Sequence, residues 1–506
     1  MKRNAISPMN TKMQLNPKTM QLSELNYWIF AGLAIVIIGF FCFFKLGQLP
    51  AQDWDEARHG ISAYEMMKSG NWVVNTFQYQ ADYYNLKPPL SFWAIIGGYQ
   101  LFGFNLFGMR FYSAASFFLT AVAIGWFCKK RYGNLESIIA LFLIACNSPF
   151  YTSHFARHGD ADALFCLFTV ISILAMICMD EQPWMPMICS GAFSLAFLTK
   201  SWHALFVVAV VGIYMLWSKM IFRLSLKQWI GFILAGALPI LSWVVLRWQY
   251  DGSRFFTEMI RVDLLNRSVQ VLEGHDGSFL YYIERLIRQP SVTGFLPIVA
   301  ILTHLFFRVE ESKQNRRLPD IPRFRVDFSA YFIWIIIPLL LFSIVKTKLP
   351  WYVIPIEFPI ILVTALLLAQ MIRCCSRKML LWKCLIIGAC MLLMESGIAL
   401  TWGEIHTPQQ DPLQTILSHE QSNLCATREK TVYFDVGPGG VQKYLLLGEL
   451  YYDWNCIIGG AKQFLNTPSG ELLVTCEDLY LQNQFELDES CSLLLRQDGC
   501  VILEKQ

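Results

Sequence analysis

Eleven apolar stretches of roughly helix length fill much of residues 27–401, at 27–44, 104–128, 135–152, 163–179, 184–199, 203–217, 228–246, 293–307, 329–345, 351–372 and 379–401. Inside a bilayer every backbone N–H and C=O must find a partner within the protein, so such runs cross as helices of about 20 residues. Charged residues are 16% of the 506, against roughly one quarter in a soluble domain. The chain reads as an α-helical polytopic membrane protein with about 11–13 transmembrane helices. A net charge of +3 without a dense basic tract argues against nucleic acid as a partner.

Orientation follows from the basic residues. Segment 1–26 is polar and carries Lys2, Arg3, Lys12 and Lys18, and no small-residue cleavage pattern follows the first apolar run. That run is therefore an uncleaved first helix rather than a signal peptide. With a cytoplasmic N-terminus, eleven spans put Lys129-Lys130-Arg131 and the basic connections 219–227, 308–325 and 373–378 inside. The short apolar segment Leu90–Phe102, opened by Lys87-Pro88-Pro89, is read as interfacial or re-entrant, because counting it as a span would move Lys129-Lys130-Arg131 outside. The transmembrane part is then 27–401, with external loops at 45–90, 153–162 and 247–292, and shorter external connections at 200–202 and 346–350.

Residues 402–506 change character. Short β-prone runs such as Thr431-Val432-Tyr433-Phe434 and Cys500-Val501-Ile502-Leu503 alternate with Gly- and Pro-rich turns, as in a small external α/β domain. Five of the fifteen cysteines lie there (Cys425, Cys456, Cys476, Cys491, Cys500), and an oxidising compartment would permit one or two disulfides.

The external loops hold most of the informative polar residues. A helix over 54–68 would set Asp55, Arg58, His59, Ser62 and Glu65 on one face and Trp54, Ala57, Ile61, Tyr64 and Met67 on the other. This predicts an interfacial helix with its polar face toward a cavity; a plain anchor helix explains the amphipathicity, but not an acid, an arginine and a histidine within one turn. Arg157-His158-Gly159-Asp160-Ala161-Asp162 is a second cluster, in which one Asp is read as a helix cap. Lys346-Thr347-Lys348 places two lysines on the outer side, against the positive-inside trend, which points to an anionic ligand. The loop 247–292 adds Arg254, Arg261, Arg267, His275 and Arg288. Arginine forks suit phosphate oxygens.

Asp55-Glu56-Ala57-Arg58, Lys87-Pro88-Pro89-Leu90, Arg157 with Asp162, and Lys348-Leu349-Pro350-Trp351-Tyr352 through Pro355 resemble, in this order, the signatures of the ArnT-like lipid A aminoarabinose transferases. Those are grouped with the protein mannosyltransferases in the GT-C fold class. The resemblance spans residues 27–370 and implies inverting transfer of a sugar from an undecaprenyl-phosphate carrier to lipid A or a related glycan or protein acceptor. The reaction would lie at the periplasmic face of a bacterial inner membrane. It implies a catalytic set of Asp55, Glu56 and Asp162, with Asp55 at the reaction centre. Lys87 would contact the lipid phosphate, and Arg58 and Arg267 would neutralise it as it leaves. His59, Arg157, His275, Lys346, Lys348 and Tyr352 complete the implied binding set. One position departs from the pattern. Where the family often has a Glu that can hold a metal with a His of the long loop, this chain has Leu86, so a divalent metal on that Glu and His275 lacks a ligand.

The residues suit this chemistry. A polyprenyl phosphate is already a good leaving group, and its transfer needs developing negative charge to be stabilised. Asp55 would act as general base toward a hydroxyl acceptor, or orient an acceptor phosphate that is already ionised. No Walker-type loop or dinucleotide fingerprint is present. A flippase for a lipid-linked sugar, or an O-antigen ligase or polymerase-like enzyme, is the alternative. A transporter should carry ionisable sites near mid-membrane in paired halves, whereas here Glu357 and Glu395 are the clearest of few.

Overall fold

The computed structural model describes residues 23–288, 292–313, 324–373, 380–406, 411–419, 424–437 and 440–506. The basic N-terminal segment and the basic connections at 314–323 and 374–378 lie outside the described residues. All eleven apolar runs are helical over most of their length. Among the described residues, six helical segments are long and apolar enough to cross a membrane: Glu24–Phe43, Leu106–Arg131, Met185–Trp217, Leu226–Asp251, Asp327–Ile344 and Pro350–Arg373.

Local sequence sets several of these ends. Helix α1 (Glu24–Phe43) starts at Ser23, whose hydroxyl accepts from the Asn26 N–H at 3.2 Å. Between α1 and helix α2 (Asp55–Ser69) runs a strap, 44–54, built largely of turns. Helix α3 (Leu90–Phe102) follows Pro88-Pro89, which cannot be carried backward as helix. Its 13 residues span roughly 20 Å, too short for the hydrocarbon core. Helix α4 (Leu106–Arg131) is capped by the Asn105 side chain and is roughly 38 Å long. Arg110 lies at one end of it, beside Glu56, and Lys129-Lys130-Arg131 close the other, where Arg131 pairs with Asp327 and Glu181. The α2 end and the basic end of the bundle are thus separated by the length of α4.

The C-terminal region carries a five-stranded sheet. After the small hairpin β1 (Thr76–Phe77) and β2 (Gln80–Ala81), the strands are β3 (Thr431–Asp435), β4 (Asn455–Ile458), β5 (Leu472–Cys476), β6 (Cys491–Gln497) and β7 (Cys500–Lys505), in the order β4-β3-β5-β7-β6. β3 pairs parallel with β4 and β5, whereas β7 pairs antiparallel with β5 and β6. Cys456, Cys476, Cys491 and Cys500 are all unpaired, so no disulfide is present among the described residues, contrary to expectation.

The sheet and its helices change the environment of α2. An interfacial helix with its polar face toward a cavity was expected; Asp55 and Arg58 do line one, whereas His59, Ser62 and Glu65 of that face are as buried as Ala57, Ile61 and Tyr64. The helix Gln442–Tyr452 covers α2, and one apolar core joins Ala57, Ile61 and Tyr64 to Leu445, Leu446 and Trp454. A Cβ on Gly60 would come within 2.5 Å of Met109 Sδ and 2.6 Å of Leu446 Cδ1, so the glycine permits this close approach. Tyr64 and Lys68 reach across to Asp453.

Candidate active site

Asp55 opens α2 directly after Trp54, which sits at φ 61° and ψ −110°. A non-glycine residue held there stores about 1–3 kcal/mol of strain and fixes how the strap delivers the Asp55 carboxylate. That carboxylate lines a cavity of about 510 Å³ together with Arg58, Lys87, His154, Arg267 and Trp351. Lys87, held extended by the prolines after it, places Nζ 3.5 Å from Asp55 Oδ1. Burial raises the Asp55 pKa and Asp160 adds to that, but the Lys87 ammonium and His154 outweigh both, and the carboxyl titrates below its ordinary value.

Arg58 faces the same cavity from α2, one turn on. Asp82 holds it through Nε at 2.7 Å and Nη2 at 2.9 Å, and the rings of Phe77 and Tyr84 flank the guanidinium at 4.1 and 4.7 Å. Part of its hydrogen-bonding capacity is therefore already committed. Arg267 enters from the long loop, with Nε 3.2 Å from Asp263. Backbone bonds Lys346 N–H to Ser268 O, Thr347 N–H to Arg267 O and Lys348 N–H to His275 O tie this loop to the segment before Pro350.

The predicted residues thus divide. Asp55, Arg58, Lys87, Arg267 and His275 line one cavity. Glu56 does not; it is fully buried against Arg110. Burial raises the Glu56 pKa, but Arg110 outweighs it and brings the carboxyl to about 2. Arg157 is not available to a phosphate, because it donates to the C-terminal carbonyls of α1 at Phe41, Cys42 and Phe44. Lys348 likewise caps a helix end, donating to Phe342, Ser343 and Val345. Lys346 is exposed away from the cavity lining. His59 is buried, with Nδ1 2.6 Å from the Asp55 carbonyl and its ring stacked on Phe92. Burial and Lys87 hold its pKa at about 4, so it is a neutral structural imidazole. Asp162 pairs with Lys200 at 2.5 Å in the protein interior, and Tyr352 packs against His203.

Sequence reasoning missed His154, Lys200 and Asp82, and read Asp160 only as a possible cap. Asp160 Oδ1 accepts its neighbour Ala161 N–H at 2.6 Å, while Oδ2 lies 2.5 Å from His154 Nδ1. Burial lowers the His154 pKa, but the Asp160 carboxylate outweighs it and lifts the ring to about 9. Trp351 stacks on His154 at 4.4 Å. The signal for Asp82 was its closeness to Lys87 in sequence; Lys200 looked like an ordinary basic residue ending an apolar run.

Known proteins are similar to this chain in sequence and in fold. The family described as dolichyl-phosphate-mannose-protein mannosyltransferase matches residues 86–246. A Pseudomonas fluorescens protein named undecaprenyl phosphate-alpha-4-amino-4-deoxy-L-arabinose arabinosyl transferase 1 is 28% identical over 366 residues. The match covers 69% of this chain and 58% of that relative, so the chain spans somewhat under three fifths of the relative's length. The crystal structure of ArnT from Cupriavidus metallidurans bound to undecaprenyl phosphate superposes with TM-score 0.66 at 18% identity, covering 94% of this chain and 97% of that one. The chain has the ArnT-like GT-C fold. An Archaeoglobus fulgidus oligosaccharyltransferase shares the fold more distantly, with TM-score 0.51, 9% identity and coverage of 92% and 70%.

The metal pair implied by the ArnT-like pattern does not fit here. Leu86 is a buried apolar side chain, and among the described residues His275 Nε2 pairs only with the Glu273 carboxylate, at 4.0 Å, with both side chains 42% exposed.

Proposed function

We propose that this ArnT-like GT-C protein is an inverting glycosyltransferase that moves a sugar from an undecaprenyl-phosphate carrier to lipid A or a related acceptor. The observation that carries this is one cavity that holds Asp55 beside Lys87, Arg58 and Arg267. Three cations of fixed charge oppose a phosphate whose negative charge grows as the glycosidic bond breaks. Asp55, kept ionised by Lys87, lies where it can take a proton from an acceptor hydroxyl or orient an acceptor phosphate. The names of the similar proteins, and undecaprenyl phosphate in the similar ArnT structure, support the donor class. The positive-inside pattern supports a periplasmic site in a bacterial inner membrane, with the α2 end of α4 outside and Lys129-Lys130-Arg131 inside.

Mass spectrometry of lipid A from cells with and without the gene tests the acceptor. Loss of one sugar mass on deletion supports lipid A. Unchanged lipid A moves the acceptor to another glycan or to a protein.

A further inference from the structure

Cys476 ends β5 and Cys500 begins β7, and the register of this antiparallel pair sets them directly opposite each other. Opposed residues of an antiparallel pair share one face of the sheet. Here that face is turned toward the helix Gln442–Tyr452, since Leu472, Val474, Cys500 and Ile502 belong to one apolar core with Leu445. The ladder also fixes which kind of pair the cysteines form. Lys505 N–H donates to Glu471 O at 2.9 Å, and Glu477 N–H to Gly499 O at 2.8 Å. Hydrogen-bonded and non-hydrogen-bonded pairs alternate along such a ladder, so Cys476–Cys500, one step before Glu477–Gly499, is a non-hydrogen-bonded pair. Cα atoms in a pair of this kind lie about 4.5 Å apart, within the roughly 4.4–6.8 Å that a disulfide bridges.

The other described cysteines of the C-terminal region are out of reach. Cys456 lies on β4, with β3 between it and β5, so two strand spacings, roughly 10 Å, separate it from Cys476. Cys491 pairs with Lys505, at the far end of the β6–β7 hairpin from Cys500. We propose that Cys476 and Cys500 are an oxidation site that closes to one cross-strand disulfide. Cys476 is half-buried and Cys500 is 7% exposed, so Cys476 meets the oxidant first. Its thiol loses a proton, and the sulfur attacks a small-molecule or protein disulfide, expelling one half of that oxidant as a thiol. The Cys500 sulfur loses its proton in turn, attacks the Cys476 sulfur and expels the second half. Two cysteines thus give up two electrons to the S–S bond of the oxidant, and both protons leave on its two thiols. Burial, with Asp411 and Cys476 adding to it, holds the Cys500 thiol up at about 11, which suits it to the second step. The new bond closes the loop Glu477–Gly499 and ties together two strands behind the helix that covers α2. The pairing rests on the register; oxidation in cells rests also on the proposed periplasmic placement.

The test is a disulfide map of the full chain, purified in detergent, incubated with oxidised glutathione, alkylated and digested without reduction. Mass spectrometry should find the peptides of Cys476 and Cys500 joined, lighter by two hydrogens than the two thiol peptides together. The cross-link should vanish in Cys500→Ser and persist in Cys491→Ser. Dithiothreitol should lower the thermal midpoint of the oxidised native chain and leave that of Cys500→Ser unmoved. If a variant does not fold, the map of the native chain decides by itself. Both thiols alkylated in the folded, glutathione-treated chain, or either one joined to another cysteine, would overturn the pair. Alkylation in intact cells separates the two readings. A cross-link that forms with glutathione but is absent in cells refutes the periplasmic placement and keeps the pair.

Discussion

The Arg110 guanidinium holds both carboxylate oxygens of Glu56, at 2.7 and 2.8 Å, with both side chains fully buried. Arg110 also donates to the carbonyls of Leu46, Leu49 and Pro50, so every one of its N–H groups is used. Glu56 in turn accepts the backbone N–H groups of Gln52 and Gly159, each at 2.7 Å. One ion pair thereby joins the strap, α2, α4 and the loop that carries His154. Arg110→Ala leaves a buried carboxylate without its partner and should lower stability by about 3–5 kcal/mol, read as a fall in thermal midpoint. An unchanged midpoint would mean that the strap is held by other contacts.

Asp55→Asn keeps the shape of the side chain and removes its charge. If Asp55 is the base, turnover should fall about 10²-fold or more in a reconstituted assay, with donor affinity changed much less. Near-native turnover would remove Asp55 from the reaction centre.

The cations proposed to hold the carrier phosphate should not be equal. Lys87→Ala and Arg267→Ala should each weaken binding of undecaprenyl phosphate by about 1.5–3 kcal/mol, the worth of a charge-assisted hydrogen bond. Arg58→Ala should cost less, because Asp82 already takes two of its donors. Arg267→Lys should restore only part of the affinity, a point charge replacing a fork. Equal losses for all three, measured by calorimetry, would contradict this ranking.

The contrast between these cations and Arg157 shows what was legible in the sequence. Lys87 could be placed from sequence because two prolines fix the chain beside it, and the apolar runs could be read as helices because a bilayer allows little else. Arg157 and Lys348 could not be told from ligands, since a basic residue beside an apolar run looks the same whether it meets a phosphate or the free carbonyls of a helix end. His154, Asp160 and Asp55 come together only through the fold. The burial of α2 was hidden because periodicity reports one apolar face and is silent on its neighbours: the helix Gln442–Tyr452, from some 390 residues later, covers that face, while Phe92 and the Thr76 carbonyl meet His59 and Ser62 on the polar one.

That covering helix has a pH consequence. Burial lifts the Glu65 pKa from 4.5 to about 7 against contacts with Thr76 and the Gln78 and Tyr79 backbone. Glu449, on the helix opposite, is raised further by burial and by the charges of Glu65 and Asp453. Folded Glu65 holds its proton more tightly than unfolded, so its contribution is fully present below about pH 4.5 and is lost as pH rises through about 7. Relative to the native chain, Glu65→Gln should gain stability on the order of 3 kcal/mol at pH 8 and little at pH 4.5. The thermal midpoint at the two pH values checks this, and equal shifts at both would contradict it.

The central claim is tested most directly by the purified chain in proteoliposomes with an undecaprenyl-phosphate-linked aminopentose and lipid A. The account predicts lipid A heavier by one sugar residue in the mass spectrum, with undecaprenyl phosphate released in equal amount and both products lost in Asp55→Asn. Intact donor crossing the bilayer with no sugar transferred to any lipid, glycan or protein acceptor supplied would contradict it and establish a transporter instead.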